Sequence, residues 1–507
     1  MSVAMIKINV NNIYTYLDGK LPKEVTDTLY AELAYQLEGY VFADAYQSGH
    51  WDGKTHLYYK KNQSFLTGLL AYAKEILDRY KLDYEIADLR EPAVPNMDLS
   101  LVDVAGVGNP NVLWEHQQQA IDLGIAKTRG VFEVSTGGGK TTIVAGLVAA
   151  LGVRPFCFFV LSKDLMYQAR DELEAKVLDN NYNRKIEVGI VGDGKCEIRD
   201  INIVMVQSAV QALGEEYVPM YSDENTSGTE VAGVEEYKDK IIALLEACKG
   251  WYFDECQHLS APIAQLVAQN TPNAYYRFGG SATAFRDDGA DILIEAVTGR
   301  KYIAIPASFL IKKGILIKPK IHIIPINSYQ EQQKKEDNKS SMASNYNSVY
   351  KHYIVENEYR NHMIKRMAEE LVAQNLSVLI LIKQIKHGDI LEELIPGSIF
   401  IQGATSADVR QDYIQQLRDK QIMCMIATSL ADEGLDIKTL NALIVAGSGK
   451  SSTRAFQRIG RVLRIAPGKT DAIAVDFYDN APYLRAHSKR RIQLYESEPE
   501  FEIIRHT

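Results

Sequence analysis

Three consecutive glycines followed by lysine and threonine are the strongest chemical signal in the sequence. The run VFEVSTGGGKTT places them between an apolar stretch, 131–134, and a stretch of helical character, 142–150. Glycine lets backbone N–H groups approach phosphates at the positive end of a helix. Lys140 would then reach the β- and γ-phosphates of ATP, and the Thr141 hydroxyl would bind Mg²⁺. The predicted nucleotide-binding residues of this loop are Gly137, Gly138, Gly139, Lys140, Thr141 and Thr142.

The match to a phosphate-binding loop is partial. The strict pattern G-x-x-x-x-G-K-[ST] needs glycine where this sequence has Val134. A glycine-rich turn that binds no nucleotide is therefore the competing interpretation.

An acidic pair follows another apolar stretch. GWYFDECQH delivers Asp254 and Glu255 at the carboxyl end of a predicted strand, where α/β sheets place their ligands. We predict that Asp254 holds Mg²⁺ and that Glu255 orients or deprotonates the attacking water. Adjacent carboxylates at a strand end are also common on surfaces, so this assignment depends on the glycine loop upstream.

A row of arginines lies far downstream. AFQRIGRVLR puts Arg458, Arg461 and Arg464 at three-residue spacing, which is one face of a helix. Such a face is usually solvated surface. Here Arg461 and Arg464 are our candidates for arginine fingers, and hydrolysis would then require closure between two lobes.

The elements that must position these residues belong to an α/β fold. From residue 113 onward, short apolar runs such as CFFVL and VLILIK alternate with amphipathic helical stretches, which is typical of parallel sheets covered on both faces. Residues 214–240 and 330–344 are polar and are predicted to be surface inserts. The predicted domains are a small α+β domain (1–95), a linker (96–112), a first lobe (113–315) and a second lobe (316–507).

Composition restricts the function classes. With 507 residues and a formal net charge of -9, the chain is not coated in basic surface, so any nucleic acid must bind in a local groove. The five cysteines show no C-x-x-C pair, no apolar run is long enough to cross a bilayer, and the start lacks the layout of a signal peptide. A reducing cytoplasm is the expected location.

In this order, STGGGKT, DECQ, GGSATAF and QRIGRVLR resemble the core motifs of superfamily 2 helicases, from about Leu113 to the C-terminus. The resemblance implies two RecA-like lobes in tandem that use ATP and Mg²⁺. At the fourth position of DECQ, this sequence has Gln257 where the family more often has His. The resemblance also adds site residues at other matching motifs. These additions are Gln117 for the adenine, Ser281 and Thr283 for coupling hydrolysis to strand binding, and Gly434 and Asp436 near the nucleotide.

Within the superfamily, the chain resembles UvsW-like phage helicases and the RecG and XPB neighbourhood. The N-terminal run GYVFADAYQSGHWDGKTHLYY carries this resemblance, and its D-G step predicts a hairpin turn with Trp51 and Lys54. Its aromatic and basic residues suit base stacking and phosphate binding, although a packed hairpin with solvated lysines is equally compatible. The resemblance implies remodelling of branched DNA in replication, recombination or repair, and removal of RNA from hybrids. It places a phage-encoded enzyme in the host cytoplasm.

A motor should hold the uniform backbone of the polymer rather than its base edges. The candidate nucleic-acid contacts of the two lobes are Lys163, Gln207, Ser208, Lys383, Arg410 and Thr428. We expect a monomer. The alternatives are a P-loop ATPase that acts on proteins or small molecules, the motor of a restriction or repair nuclease, an RNA helicase and a catalytically silent scaffold.

Overall fold

The computed structural model describes residues 5–36, 40–102, 112–214, 234–258, 261–282, 291–326, 345–428, 437, 439–447, 459–460 and 462–506. The chain divides into two compact units. The first unit comprises Met1–Val134 and Gly139–Ala304, and the second comprises Ser135–Gly138 and Ile305–Thr507.

The first unit begins with a five-stranded mixed sheet. Ile6–Val10 alternates buried and more exposed residues, and its buried side chains pack with those of two amphipathic helices, Lys23–Glu32 and Leu70–Arg79, on one face of the sheet. Its strands, in spatial order, are Tyr58–Tyr59, Ser64–Leu66, Tyr14–Asp18, Ile6–Val10 and Tyr84–Asp88. Ala34–Gln36 pairs with Lys54–His56. Two short helical segments of this region are Asp44–Gln47 and Thr67–Leu69.

The rest of the first unit is built on an eight-stranded sheet whose six inner strands are parallel. Phe156–Val160, Val188–Gly192 and Ile201–Met205 are buried at every position, as expected of strands covered on both faces. The strands, in spatial order, are Lys195–Glu197, Val188–Gly192, Ile201–Met205, Phe156–Val160, Gly250–Phe253, Tyr276–Ser281, Arg129–Val134 and Lys301–Ile305. The helices are Glu115–Lys127, Lys140–Leu151, Lys163–Lys176, Val206–Ala212, Val234–Ala247, Ala261–Gln269 and Asp291–Val297.

Two segments differ from what the sequence suggests. Part of the predicted linker forms the strand Leu99–Leu101, which pairs with Val177–Asp179, and the N–H groups of Asn96 and Met97 donate to the carbonyl of Gly152. The end of the predicted insert 214–240 lies in the helix Val234–Ala247 because its apolar side buries residues such as Leu244. Residues 215–233 and 330–344 of the predicted inserts lie outside the described residues.

The second unit contains a seven-stranded parallel sheet. Two buried ion pairs, Arg360–Asp479 and Arg491–Asp476, link its helices to its strands. The strands, in spatial order, are Ser398–Ile401, Cys424–Thr428, Val378–Ile382, Ala442–Val445, Ile473–Asp479, Lys320–Ile326 and Glu502–Arg505. The helices are Ala307–Lys312, Tyr346–Tyr350, Lys351–Val355 (a π-helical turn), Glu358–Ala373, Ile385–Leu394, Ala407–Arg418 and Leu484–Glu496.

The boundary between the compact units falls at 304/305, whereas the sequence suggests 315/316. The buried carboxylate of Glu498 explains the difference, because it accepts hydrogen bonds from the N–H groups of Ala307 and Ser308. These bonds attach the helix Ala307–Lys312 to the second unit. The predicted N-terminal domain is likewise part of the first unit, where Gly68 lies so close to the helix Asp291–Val297 that an added Cβ would be 1.9 Å from the carbonyl oxygen of Glu295.

Candidate nucleotide and nucleic-acid sites

The predicted site residues follow the carboxyl ends of parallel strands. In the first unit, Lys163 follows Phe156–Val160, Gln207 follows Ile201–Met205, and Asp254 follows Gly250–Phe253. Because neighbouring parallel strands run in one direction, these ends form one edge of the sheet. Ser281 ends the next strand along this edge and is buried.

The glycine loop joins the strand Arg129–Val134 to the helix Lys140–Leu151. Gly137 and Gly139 have φ values of 88° and 82°, a backbone region that glycine adopts without strain. The N–H of Gly138 donates to the carbonyl of Ser135. A Cβ on Gly139 would stand 2.2 Å from Nε2 of Gln117, so the predicted adenine-reading amide lies directly against the loop.

Lys140 is the first residue of that helix, and Thr141 and Thr142 follow in its first turn. The Lys140 ammonium forms an ion pair with Oε1 of Glu255, and the side chains are 15% and 25% exposed. Burial alone would lower the pKa of Lys140, but the carboxylates of Glu255 and Asp254 outweigh it and raise that pKa. Two predicted catalytic residues, 115 positions apart in sequence, are therefore in contact.

Gln257 holds the other oxygen of the same carboxylate. Its Nε2 donates to Oε2 of Glu255 at 2.7 Å, so lysine and glutamine together fix the orientation of Glu255. Glu255 also has a positive φ of 45°, which is uncommon for a residue with a side chain. The departure from the commoner His at position 257 thus keeps a hydrogen-bond donor beside the predicted base.

Asp254 lies beside this pair and is bound by a residue that the sequence analysis missed. The Tyr252 hydroxyl donates to Oδ1 of Asp254 at 2.9 Å. Burial raises the pKa of Asp254 to about 6, although the positive charge of Lys140 opposes this rise. Tyr252 precedes Asp254 by two positions, and residues two apart on a strand point to the same face, so the strand pattern already contained this pairing.

These groups fit a nucleotide and Mg²⁺. The Asp254 carboxylate and the Thr141 hydroxyl are hard oxygen donors of the kind that Mg²⁺ takes. The glycine-rich turn and the start of a twelve-residue helix, Lys140–Leu151, provide backbone N–H groups for phosphates. The cluster can therefore bind a polyphosphate and hold a carboxylate ready to activate water.

Several residues of the sequence motifs lie outside the described part of the chain: Thr283, Gly434, Asp436, Arg458 and Arg461. Arg464 is described. Its backbone forms an isolated bridge with Leu316, and its carbonyl accepts a hydrogen bond from the Lys469 ammonium at 2.9 Å. The same ammonium donates to the carbonyl of Val462 at 2.8 Å. Burial and the positive charge of Arg464 lower the pKa of Lys469 to about 8.

The predicted nucleic-acid contacts differ in exposure. Lys163 is half-exposed and pairs with Asp193 at 3.1 Å, and Gln207 is half-buried. Lys383 lies over the rings of Tyr346 and Tyr350.

The remaining predicted contacts are more enclosed. Arg410 donates to the carbonyl of Thr405. Ser208 and Thr428 are buried, and the part of the chain that the structure describes offers their hydroxyls no hydrogen-bond partner. All six assignments to the two lobes stay predictions.

The predicted hairpin turn at Asp52 and Gly53 is wrong, because a helix, Asp44–Gln47, precedes them and the strand that follows, Lys54–His56, pairs with the earlier strand Ala34–Gln36. The residues of this segment make mostly internal contacts. The Trp51 indole donates to the carbonyl of Lys54, and the backbone N–H of Lys54 donates to Asp52. His56 stacks on Tyr30 with centroids 3.6 Å apart and also bonds Asp52. Roles for Trp51 and Lys54 in nucleic-acid binding stay predictions.

Comparison with protein-family models supports the motif assignments. Residues 111–286 match the family described as type III restriction enzyme, res subunit, and residues 359–466 match the helicase conserved C-terminal domain. The first match contains the glycine loop and the acidic pair, and the second contains Arg461 and Arg464. The chain is a superfamily 2 helicase. It therefore uses a nucleotide, and its enzymatic class is that of ATP-driven helicases.

Two relatives of this helicase match most of its length, and a third matches 48% of it. The ATP-dependent DNA helicase uvsW of Enterobacteria phage T4 is 23% identical over 501 residues, which is 92% of each chain. The DNA 3'-5' translocase XPB2 of Sulfurisphaera tokodaii is 23% identical over 465 residues, 84% of this chain and 92% of the relative. A helicase-named protein of Sulfolobus islandicus filamentous virus is 27% identical over 256 residues, and this chain spans 45% of its length.

The fold is also that of solved helicase structures. Dbp5 of S. cerevisiae, bound to RNA and ADP BeF3, superposes with a TM-score of 0.50 at 13% identity and covers 86% of this chain and 92% of its own. This likeness supports tandem RecA-like lobes. Among the residues that the structure describes, no helix is both long and apolar enough to span a membrane.

Proposed function

We propose that this helicase is an ATP-driven DNA translocase that remodels branched DNA in replication, recombination or repair. The observation that carries the proposal is the contact between the Lys140 ammonium and the Glu255 carboxylate, with Asp254 beside them, at the carboxyl edge of a parallel sheet. A helicase C-terminal domain follows in the same chain.

The contacts of Lys140 suggest how ATP controls the base. The γ-phosphate competes with Glu255 for the Lys140 ammonium, so phosphate binding frees one carboxylate oxygen to orient water. Gln257 keeps its hydrogen bond to the other oxygen and prevents the carboxylate from rotating away. Mg²⁺, held by Thr141 and Asp254, would neutralise charge on the phosphates.

Further candidate nucleotide contacts come from the motifs. Arg461 and Arg464 are our candidates for the arginine fingers, and Gly434 and Asp436 for further nucleotide contacts. Gln117 reads the adenine, because an amide can pair with both N6 and N7 of that base, and Ser281 with Thr283 links hydrolysis to strand binding.

We further propose that both lobes hold the phosphate backbone rather than base edges, since base contacts would stall a motor at preferred sequences. Our candidates are those named from the motifs: Lys163, Gln207, Ser208, Lys383, Arg410, Thr428, and in the N-terminal region Trp51 and Lys54. The protein acts as a monomer, and, if phage-encoded, in the host cell cytoplasm.

The choice of DNA rests on relatives that cover most of the chain, one named a DNA helicase and the other a DNA translocase. The choice of branched structures rests on the resemblance of the motifs to UvsW-like helicases. The matching test is an unwinding panel of forks, four-way junctions, RNA–DNA hybrids and tailed duplexes, with ATP and with Lys140→Ala as the inactive control. Preferential processing of forks and junctions supports the proposal. Processing of tailed duplexes or hybrids alone contradicts it.

A motor of a restriction system is the second candidate, because residues 111–286 match a family named for a restriction subunit. The two functions differ in the covalent fate of the DNA. Magnesium-dependent cleavage of linear or branched DNA, retained when the preparation is highly purified, would favour the restriction motor. Unwinding with intact strands favours the helicase.

A further inference from the structure

One face of the N-terminal sheet carries a group of three tyrosines, Tyr14, Tyr16 and Tyr59, here named the tyrosine face. Tyr16 and Tyr59 both lie opposite Ser64 in the strand register, and Tyr14 is two residues from Tyr16 on the same strand. Opposite positions of antiparallel strands, and alternate positions of one strand, share a face of the sheet. The small Ser64 between two tyrosines leaves room for their rings.

The other face of the same sheet forms the core. Thr15, Leu17, Tyr58 and Phe65 are all buried there, with the apolar sides of the two helices packed against the same cluster. By contrast, Tyr59 is 42% exposed, and Tyr14 and Tyr16 are half-buried. Core packing therefore accounts for Tyr58 and in part for Tyr14, which packs against the same cluster, but leaves Tyr16 and Tyr59 unexplained.

The three rings do not stack in parallel on one another. Tyr14 and Tyr16 are tilted by 52°, and Tyr14 and Tyr59 by 68°, each pair with centroids 6.4 Å apart. In offset stacking, two rings would lie parallel. The tilted arrangement leaves ring surface for flat partners.

The charged residues around the tyrosine face include a lysine that a polyanion could contact. Lys61 is exposed in the turn that follows Tyr59, whereas the neighbouring Lys60 is bound to Asp27 at 2.9 Å. Asp18 follows Tyr16 by two positions on the same strand, Glu85 lies on the strand Tyr84–Asp88, and the exposed Lys7 lies opposite both of these carboxylates. A nucleic-acid strand would therefore cross Tyr59, Tyr16 and Tyr14, with Lys61 as the lysine available to its phosphates.

The tyrosine face is attached to the ATP-binding lobe. Gln269, at the end of the helix Ala261–Gln269, donates to the Tyr14 hydroxyl at 2.8 Å. Asn12 donates to the carbonyl of Pro272 and accepts, through its own carbonyl, from Arg129 at 2.9 Å. A strand bound here would be held by the same compact unit that contains Lys140 and Glu255.

We propose that the tyrosine face stacks unpaired nucleic-acid bases and holds a displaced single strand on the N-terminal side of the first lobe. The inference rests on the proposed function, which supplies such a strand. Stacking is tolerant of sequence because every base has a flat face, which suits a motor. Paired bases inside a duplex do not offer these faces, so the site selects unpaired DNA.

The test compares two oligonucleotides of equal length and charge, oligothymidylate and an abasic analogue, by fluorescence anisotropy. The wild type should bind oligothymidylate about tenfold or more tightly than the abasic strand. Tyr16→Ala/Tyr59→Ala should lose this preference while binding the abasic strand as before, and Tyr16→Phe/Tyr59→Phe should keep it. Tyr182→Ala, at a tyrosine that is 70% exposed elsewhere in the first unit, is the matched control.

Several outcomes separate this inference from the proposed function. Full base preference in the double alanine variant, with unchanged thermal stability, overturns the tyrosine face. If the double variant unfolds, the base preference is measured with Tyr59→Ala alone, because Tyr59 is the most exposed of the three tyrosines. DNA binding without any base preference in the wild type refutes the inference but leaves the helicase proposal standing, whereas absence of all DNA binding refutes both.

Discussion

At the scale of single residues, the site depends on how one carboxylate is held. Lys140 and Gln257 bind the two oxygens of Glu255, while Tyr252 binds Asp254. Each carboxylate thus has its own set of partners. Different surroundings give the two adjacent carboxylates different roles, water activation for Glu255 and metal binding for Asp254.

Glu255→Gln should lower the turnover of ATP by about 10²- to 10⁴-fold, because the amide cannot accept a proton from water. DNA binding should be retained, since the substitution leaves the fold and the phosphate-binding loop in place. Glu133→Gln is the matched control, because Glu133 also pairs with a lysine, Lys301, at 2.9 Å but lies outside the predicted catalytic set. Steady-state hydrolysis measures the effect, and equal losses in both variants would show that a structural ion pair, not a base, had been removed.

At the scale of elements, the sequence predicted the strands that position the site better than it predicted their surroundings. The apolar runs before Lys163, Asp254, Lys383 and Thr428 are all strands, because strands buried on both faces have a continuous apolar composition. The helix predicted at 142–150 is observed as Lys140–Leu151. The local sequence pattern is sufficient to predict a strand or helix that a single segment forms by itself.

Contacts between distant segments were not predictable in this way. Gln257 was seen only as a departure from a motif, and nothing in its local sequence indicates a hydrogen bond to Glu255. The strand Leu99–Leu101 was assigned to a linker because its pairing partner lies more than seventy residues later, at Val177–Asp179. Glu498 and the helix it binds, Ala307–Lys312, are likewise far apart in the chain. Partners of this kind depend on the tertiary fold.

Lys469 should stabilise the segment that contains Val462 and Arg464, and we do not expect it to act as a catalyst. Lys469→Met removes the ammonium that binds the carbonyls of Val462 and Arg464 and should destabilise the second unit by about 1–3 kcal/mol. The value of kcat should fall with little change in the KM for ATP, because the segment that carries the predicted arginine fingers is less well ordered. Lys469→Arg should restore part of the loss.

The control for Lys469 is Lys420→Met, which removes an exposed lysine that donates to the carbonyl of Asn375. Its effect on kcat should be small. Equal kcat values for wild type and Lys469→Met would mean that this lysine does not position the segment.

The stability of the N-terminal region should also depend on the close contact between Gly68 and the helix Asp291–Val297. Gly68→Ala places a Cβ against the Glu295 carbonyl and should cost about 1–3 kcal/mol through overpacking. Differential scanning calorimetry should then show earlier unfolding of the N-terminal region. Glu75→Gln, which removes an exposed ion pair with Arg300 at the same interface, should cost no more than about 1 kcal/mol; a Gly68→Ala variant as stable as this control would indicate a looser contact.

At the scale of the whole molecule, each compact unit has its own core, and a buried histidine makes the stability of the second depend on pH. Burial and the nearby Arg360 lower the pKa of His387 from 6.5 to about 3. Its Nε2 donates to Oδ1 of Asn361 at 2.9 Å, because the amide nitrogen of Asn361 is already donating to Val355. The folded state therefore keeps this ring neutral in conditions where the unfolded state protonates it.

The stability of the second unit should fall as the pH is lowered. Between the unfolded pKa of 6.5 and the folded pKa of about 3, the unfolded chain binds more protons than the folded one. The free energy of unfolding therefore falls by about 1.4 kcal/mol for each unit by which the pH is lowered. Urea unfolding of the second unit at about pH 7 and about pH 5 measures this slope. His387→Gln should flatten it, whereas His362→Gln, at an exposed helix position, should leave it unchanged. An unchanged slope in His387→Gln would assign the acid sensitivity to other groups.

The central claim is that ATP hydrolysis by the Lys140 and Glu255 site is coupled to DNA. The most direct measurement is the steady-state rate of ATP hydrolysis without a polymer, with forked DNA and with single-stranded DNA, for the wild type and for Lys140→Ala. We predict that DNA raises the wild-type rate severalfold and that Lys140→Ala is inactive in every condition while still binding DNA. A wild-type rate that no DNA changes, or full turnover by Lys140→Ala, would contradict the account.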